Sequence, residues 1–159
     1  TIIRGTPMMV QLMIMYFVVF SSSRHEVAVA TLAFGINSGA YVAEIVRGGI
    51  MSVDAGQMEA GRSLGMNYTQ TMRHIIIPQA IKNILPALGN EMITLLKDTS
   101  LMTVIGAKDL TKAAQTVQAV TYQAFMPYIS IAVIYLVCVI ALSKLLALIE
   151  RRMRNSDRR

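Results

Sequence analysis

From Val27 to Val46 the chain runs for 20 residues with no charge before Glu44, and a second such run extends from Tyr128 to Ile149. A helix needs roughly 20 mostly apolar residues to cross about 30 Å of hydrocarbon at about 1.5 Å per residue. Both runs meet that length. An overall hydrophobic content of 54%, a mean hydropathy of +0.51 and only 15% charged residues make a bilayer the expected solvent for this 159-residue chain. The expected fold class is therefore all-α, a polytopic helical membrane protein.

The net charge of +6 does not point to nucleic acid, which calls for basic residues on one solvated face with stacking aromatics. Arg151, Arg152, Arg154, Arg158 and Arg159 instead follow the last apolar run, where the positive-inside rule places a cytoplasmic end. That direction orders the rest. The spans are expected at about 7–22, 26–46, 82–101 and 127–149, with residues 47–81 cytoplasmic, 102–126 external and the C-terminus cytoplasmic. Lys144 lies near enough to the end of its span to snorkel. Cys138, the single cysteine, excludes an internal disulfide and reads as a packing residue. His25 and His74 lie far apart with no cluster around them, so no metal site is expected.

Arg4-Gly5-Thr6-Pro7 reads as a turn before the short apolar run Met8 to Phe20. Within the second span, Gly35-Ile36-Asn37-Ser38-Gly39 has the small-xxx-small spacing that lets helix backbones approach closely in lipid. Asn37 there is expected to bond to a neighbouring helix or to face the transport path.

The polar stretch after Arg47 reads as two capped helices. Asp54 precedes Ala55 as an N-cap, with Gln57 at the third helical position, and Gly65 supplies a left-handed stop after a helix of about Ala55 to Leu64. Asn67 with Gln70 repeats the capping box and opens a second helix, which Pro78 is expected to interrupt. The third span, roughly Ile84 to Leu101, carries Glu91, Lys97 and Asp98 beside Pro86, Gly89 and Asn90. A central Asp or Lys costs about 2.5 to 3.5 kcal/mol on the insertion scale, so this helix should face its bundle neighbours. Glu91 and Asp98 are nearly two turns apart on one side of a helix, about 10 Å along its axis. Such carboxylates are candidates for a substrate path, where they could meet an α-ammonium group and a cationic side chain. Gln11 and Tyr16 could add neutral contacts. A short external helix is expected around Lys108 to Val120, followed by Tyr122, Phe125 and Tyr128 as an interfacial belt.

The segment EAGRSLGMNYTQTMRHIIIP, Glu59 to Pro78, resembles the EAA loop of ABC importer permeases. Glu59, Ala60, Gly61, Gly65, Ile75 and Pro78 occupy that motif's positions; Gly61 replaces the usual second alanine and Ile77 the usual leucine. Arg4-Gly5-Thr6-Pro7, Tyr41 through Ile50, Pro78-Gln79-Ala80, Gly89-Asn90-Glu91 and Lys97 through Leu101 resemble the polar amino-acid branch of that family. Its members carry one more span before the first of these stretches, so about four of the usual five spans are expected, in a chain that reads as part of a longer permease.

The resemblance implies the fold of a type I ABC importer transmembrane domain in a bacterial cytoplasmic (inner) membrane. It also implies three protein partners: a separate ABC ATPase docking on residues 54–78, an extracytoplasmic solute-binding protein, and a second permease copy or paralogue. No GxxxxGK[ST] motif occurs in the chain, so ATP and magnesium are expected on the ATPase, and no cofactor or enzymatic site on this subunit. The rival reading is an ion-coupled secondary transporter in which Glu91 and Asp98 carry protons or cations; it leaves the Glu59 loop unexplained.

Overall fold

A computed structural model describes residues 2–22 and 25–155, and for residues 152–155 the backbone alone. Arg158 and Arg159 of the basic tail lie outside the described residues. Among those described, regular structure is entirely helical: α1 (Met8–Ile14), α2 (Glu26–Met51), α3 (Ala55–Ser63), α4 (Tyr68–Thr71), α5 (Ile77–Asp98), α6 (Leu110–Thr121) and α7 (Phe125–Asn155). Two π-helical stretches, Met15–Val19 and Met72–Ile76, extend α1 and α4, and 3-10 turns cover Ile3–Gly5 and Thr99–Ile105.

Among the described residues, two helices are long and apolar enough to cross a membrane: α2, and α7 over Phe125–Arg151. The apolar stretch Met8–Val19 is shorter. Helix α5 has 22 residues, about 33 Å at the helical rise, and so has the length of a span but carries the charges noted above. No residue in the most apolar stretch of α7 is buried, and Val133, Leu136, Val137 and Ile140 on it are exposed. Such a helix is stable in lipid or against partner helices, and not in water.

The chain divides into two compact units, Thr1–Ala40 with Met92–Ser143 and Tyr41–Glu91 with Lys144–Arg159. In the first, Leu12 of α1 packs with Ala30, Ala33 and Phe34 of α2 and with Ile105 and Ala107, all buried. Asp109 caps α6, its Oδ1 accepting from the Lys112 amide at 2.7 Å, and Tyr122 ends the helix in the left-handed region at φ 57°. Tyr122 and Phe125 are strongly exposed, as an interfacial pair would be. The Tyr128 hydroxyl instead donates to Gln118 Oε1 at 2.7 Å and ties α7 to α6.

The small-residue contact falls elsewhere than expected. Gly35 and Gly39 have open space where a Cβ would stand, so among the described residues no neighbouring helix approaches them there. Close approach occurs in the second unit, at Gly49 of α2 and Gly89 of α5. A Cβ on Gly49 would lie 2.2 Å from Ile84 Cγ1, and one on Gly89 would lie 3.1 Å from Leu146 Cδ1. Small-residue spacing along one helix signals that an approach is possible, but not which neighbour makes it.

Candidate functional site

The residues between α2 and α5 fold into a helical hairpin built by local backbone chemistry. Asp54 starts α3, as its sequence position suggests, with Oδ1 accepting from the Gly56 amide at 2.7 Å. That bond goes to the second helical amide, so the capping box expected with Gln57 does not form. Gln57 Oε1 accepts instead from Gln79 Nε2 at 3.3 Å, linking α3 to the start of α5. At the far end of α3 the Met66 amide donates to the Gly61 carbonyl (3.1 Å) and the Gly65 amide to the Arg62 carbonyl (2.9 Å). This six-to-one and five-to-two pair is a Schellman motif, and it requires the left-handed φ of 80° that Gly65 adopts.

The return strand of the hairpin opens at Asn67. Its Oδ1 accepts from the Gln70 amide and Gln70 Oε1 accepts from the Asn67 amide, both at 2.9 Å, a complete capping box. Beyond it, Pro78 does not break the helix as expected. The chain stays helical from Tyr68 to Asp98, because the wide π turn Met72–Ile76 precedes Ile77 and shifts the hydrogen-bond register just where proline lacks a donor. Gln79 Nε2 donates to the Ile75 carbonyl at 3.0 Å in the same turn. The hairpin is therefore rooted directly in α5, with no loop between them.

Burial divides the motif residues. Glu59, Ala60, Gly65 and Pro78 are exposed and Ile75 is half-buried, whereas Gly61 is buried against Thr71. Next to Gly65, Leu64 and Tyr68 are exposed at 79% and 57%. Neither is among the expected docking residues: in the helix expected over Ala55 to Leu64, Met58 and Leu64 give only a thin apolar face, and Tyr68 lies outside that helix. They lie on either side of the Gly65 turn, Leu64 closing α3 and Tyr68 opening α4.

The substrate-path candidates separate into two groups. Gln11 and Asn37 are brought together, which nothing in their spacing announces: Asn37 Nδ2 donates to Gln11 Oε1 at 3.0 Å. Gln11 Nε2 in turn faces the Ile3 carbonyl at 2.6 Å, Thr6 Oγ1 at 2.6 Å and the Thr6 carbonyl at 3.1 Å. Both ends of this amide are thus committed, and the pair fastens the Arg4-Gly5-Thr6-Pro7 turn to α1 and α2. A cavity of about 300 Å³ beside it is lined by Ile3, Thr6, Gln11, Met15, Ala33 and Ile36, among others. Tyr16, partly buried, packs on the Leu12 core and meets the Phe17 ring edge-on, with centroids 5.1 Å apart. Glu91 and Asp98 are both half-buried on α5 and fall in different units.

Helices throughout the described residues, with two clear spans and an exposed, capped hairpin at the root of a third long helix, fit the class that the chain's relatives define: a polytopic helical permease with the fold of type I ABC importer transmembrane domains. The chain belongs to the family described as binding-protein-dependent transport system inner membrane component, which matches residues 1–155. It is 42% identical over 157 residues to the glutamine transport system permease protein GlnP of Escherichia coli K12, covering 96% of this chain and 72% of that protein. It is 40% identical over 160 residues to the arginine transport system permease protein ArtQ of Bacillus subtilis 168, covering 99% and 73%. Among solved structures, an amino acid ABC transporter crystallised with histidines aligns with a TM-score of 0.88 at 54% identity over 95% of this chain and 72% of that one. The MetNI methionine ABC transporter, inward facing, aligns with a TM-score of 0.80 at 21% identity over 96% and 71%, and shares the fold.

Proposed function

We propose that this chain is the membrane-spanning subunit of an ATP-driven amino-acid importer, and that its α3–α4 hairpin is where a separate ATPase docks and drives transport. The observation that carries the proposal is the hairpin itself. It is stiffened by a Schellman turn and a capping box, presents Glu59, Ala60, Leu64 and Tyr68 to solvent, and continues into α5. Such an element passes a push from a soluble motor into a membrane helix with little loss to bending. Exposed apolar side chains flanking a stiff turn, with an exposed carboxylate on the same hairpin, suit a groove on a protein partner.

In this reading, α1 with its π extension, α2, α5 and α7 are the four spans. Residues 47–81 and the C-terminus face the cytoplasm, residues 102–126 face outward toward an extracytoplasmic solute-binding protein, and a second permease copy or paralogue completes the path. ATP and magnesium belong to the ATPase. The substrate is a polar amino acid. Relatives named for glutamine and arginine transport, and a structural relative crystallised with histidines, support that class, and Glu91 and Asp98 are each a candidate carboxylate for a cationic group of the substrate. Gln11, Asn37 and Tyr16 are further candidates for the substrate path.

Co-purification of the candidate ATPase subunit with the full-length permease tests the docking site. Glu59→Ala combined with Leu64→Glu should abolish retention of the ATPase while the permease still inserts in the membrane. Undiminished retention would refute docking at this hairpin.

A further inference from the structure

The docking reading leaves open how the exposed face of α3 moves α5, since the ATPase would touch Glu59 and Ala60, and α3 is joined to α5 only through the turn and through side chains. Thr71 occupies that gap. It is completely buried and sits at the last position of α4, immediately before the π turn that runs into α5. A Cβ on Gly61 would stand 2.5 Å from Thr71 Cγ2, 2.8 Å from its Oγ1 and 3.2 Å from its Cβ. The threonine side chain therefore fills the space that alanine, usual at this position of the motif, would take.

Thr71 cannot swing aside. A β-branched side chain in a helix has few rotamers, and this one is pinned by Oγ1 donating to the Asn67 carbonyl at 3.0 Å. We propose that Thr71 is a positioning residue for energy coupling: wedged against Gly61, it sets the spacing of the two hairpin helices and carries displacement of α3 to the root of α5. Gly61 is then not an accidental variant of the motif but one half of a matched pair. The inference rests on the docking reading and adds the residue through which force leaves α3.

The test is a volume exchange in the full chain, co-reconstituted with its ATPase, with substrate uptake per ATP hydrolysed as the readout. Gly61→Ala forces the hairpin apart, and its coupling ratio should fall by about fivefold, which corresponds to about 1 kcal/mol. Thr71→Ala alone, which introduces no clash, should also lower the ratio because the wedge is gone. It leaves no orphaned acceptor, since the Asn67 carbonyl still receives the Thr71 amide at 3.0 Å.

The Gly61→Ala, Thr71→Ala double variant removes the two nearest atoms and leaves only the 3.2 Å contact to Cβ, so its ratio should return to within about twofold of the starting protein. A merely structural role would change the amount of assembled transporter and not the ratio. Full coupling in either single variant, or failure of the double variant to exceed both singles, would overturn the proposal. The docking reading fails separately, if Leu64→Glu on the exposed tip retains both ATPase binding and ATP-driven uptake.

Discussion

Replacing Gly65 by alanine puts a Cβ on a residue held at φ 80°, where a non-glycine residue pays roughly 1–2 kcal/mol for contact with the following carbonyl. Nothing stands within 4 Å of that Cβ, so the whole cost is backbone conformation and none is collision. The hairpin can respond only by opening the Schellman turn, which releases the Met66 amide from the Gly61 carbonyl and the Gly65 amide from the Arg62 carbonyl. A cost of roughly 1–2 kcal/mol raises the open population by a factor of about 5 to 30. Amide hydrogen exchange at Met66 should accelerate by that factor in Gly65→Ala, with α7 unaffected. Gly65→Asn should be milder, because asparagine visits the left-handed region more readily. Unchanged exchange at Met66, or an asparagine variant that opens as far as the alanine one, would refute the conformational argument.

Asn67→Ala removes the side-chain arm of the capping box, Oδ1 accepting from the Gln70 amide, and should destabilise the start of α4 by about 1 kcal/mol, seen as faster exchange of the Gln70 amide. Asn37→Leu strands the partly buried Gln11 carbonyl oxygen, at a cost of about 1 kcal/mol or more. The thermal midpoint in detergent should fall, and Gln11→Leu added to it should recover part of the loss. Gly49→Ala must displace Ile84, 2.2 Å from the new Cβ, and overpacking of this kind costs about 1–3 kcal/mol. The yield of folded protein should drop, and Ile84→Ala in the same chain should restore it.

What the sequence discloses about this fold follows the range of the contacts involved. Asn67 and Gln70 are three residues apart and the side chain of each bonds to the other's backbone amide, so the cap was legible. Gly65 was equally legible as a left-handed stop, and Leu110–Thr121 lies close to the helix expected around Lys108 to Val120. Gln57 misled because its capping geometry was available locally, but a partner 22 residues away, Gln79, claims its side chain. Pro78 misled for a related reason: proline forbids an α-helical bond, but a π turn just before it leaves none to be made.

The pairings that organise the candidate site lie beyond sequence patterning altogether. Gln11 meets Asn37 across 26 residues, and Thr71 meets Gly61 across the turn. The one trace of the second pair in the sequence is the glycine itself, standing where the motif ordinarily has alanine. That departure kept the position small, and the residue that makes the small size necessary is visible only once α3 and α4 are folded together.

The central claim, that this chain moves an amino acid using an ATPase bound at its hairpin, is tested most directly by uptake into proteoliposomes holding the full-length permease. Labelled arginine, histidine and glutamine should accumulate, each to its own extent, only when the ATPase subunit, ATP and the solute-binding protein are all present, and Glu59→Ala with Leu64→Glu should abolish that accumulation. Accumulation driven by an ion gradient with no ATPase present, or ATP-driven uptake undiminished in the hairpin variant, would contradict it.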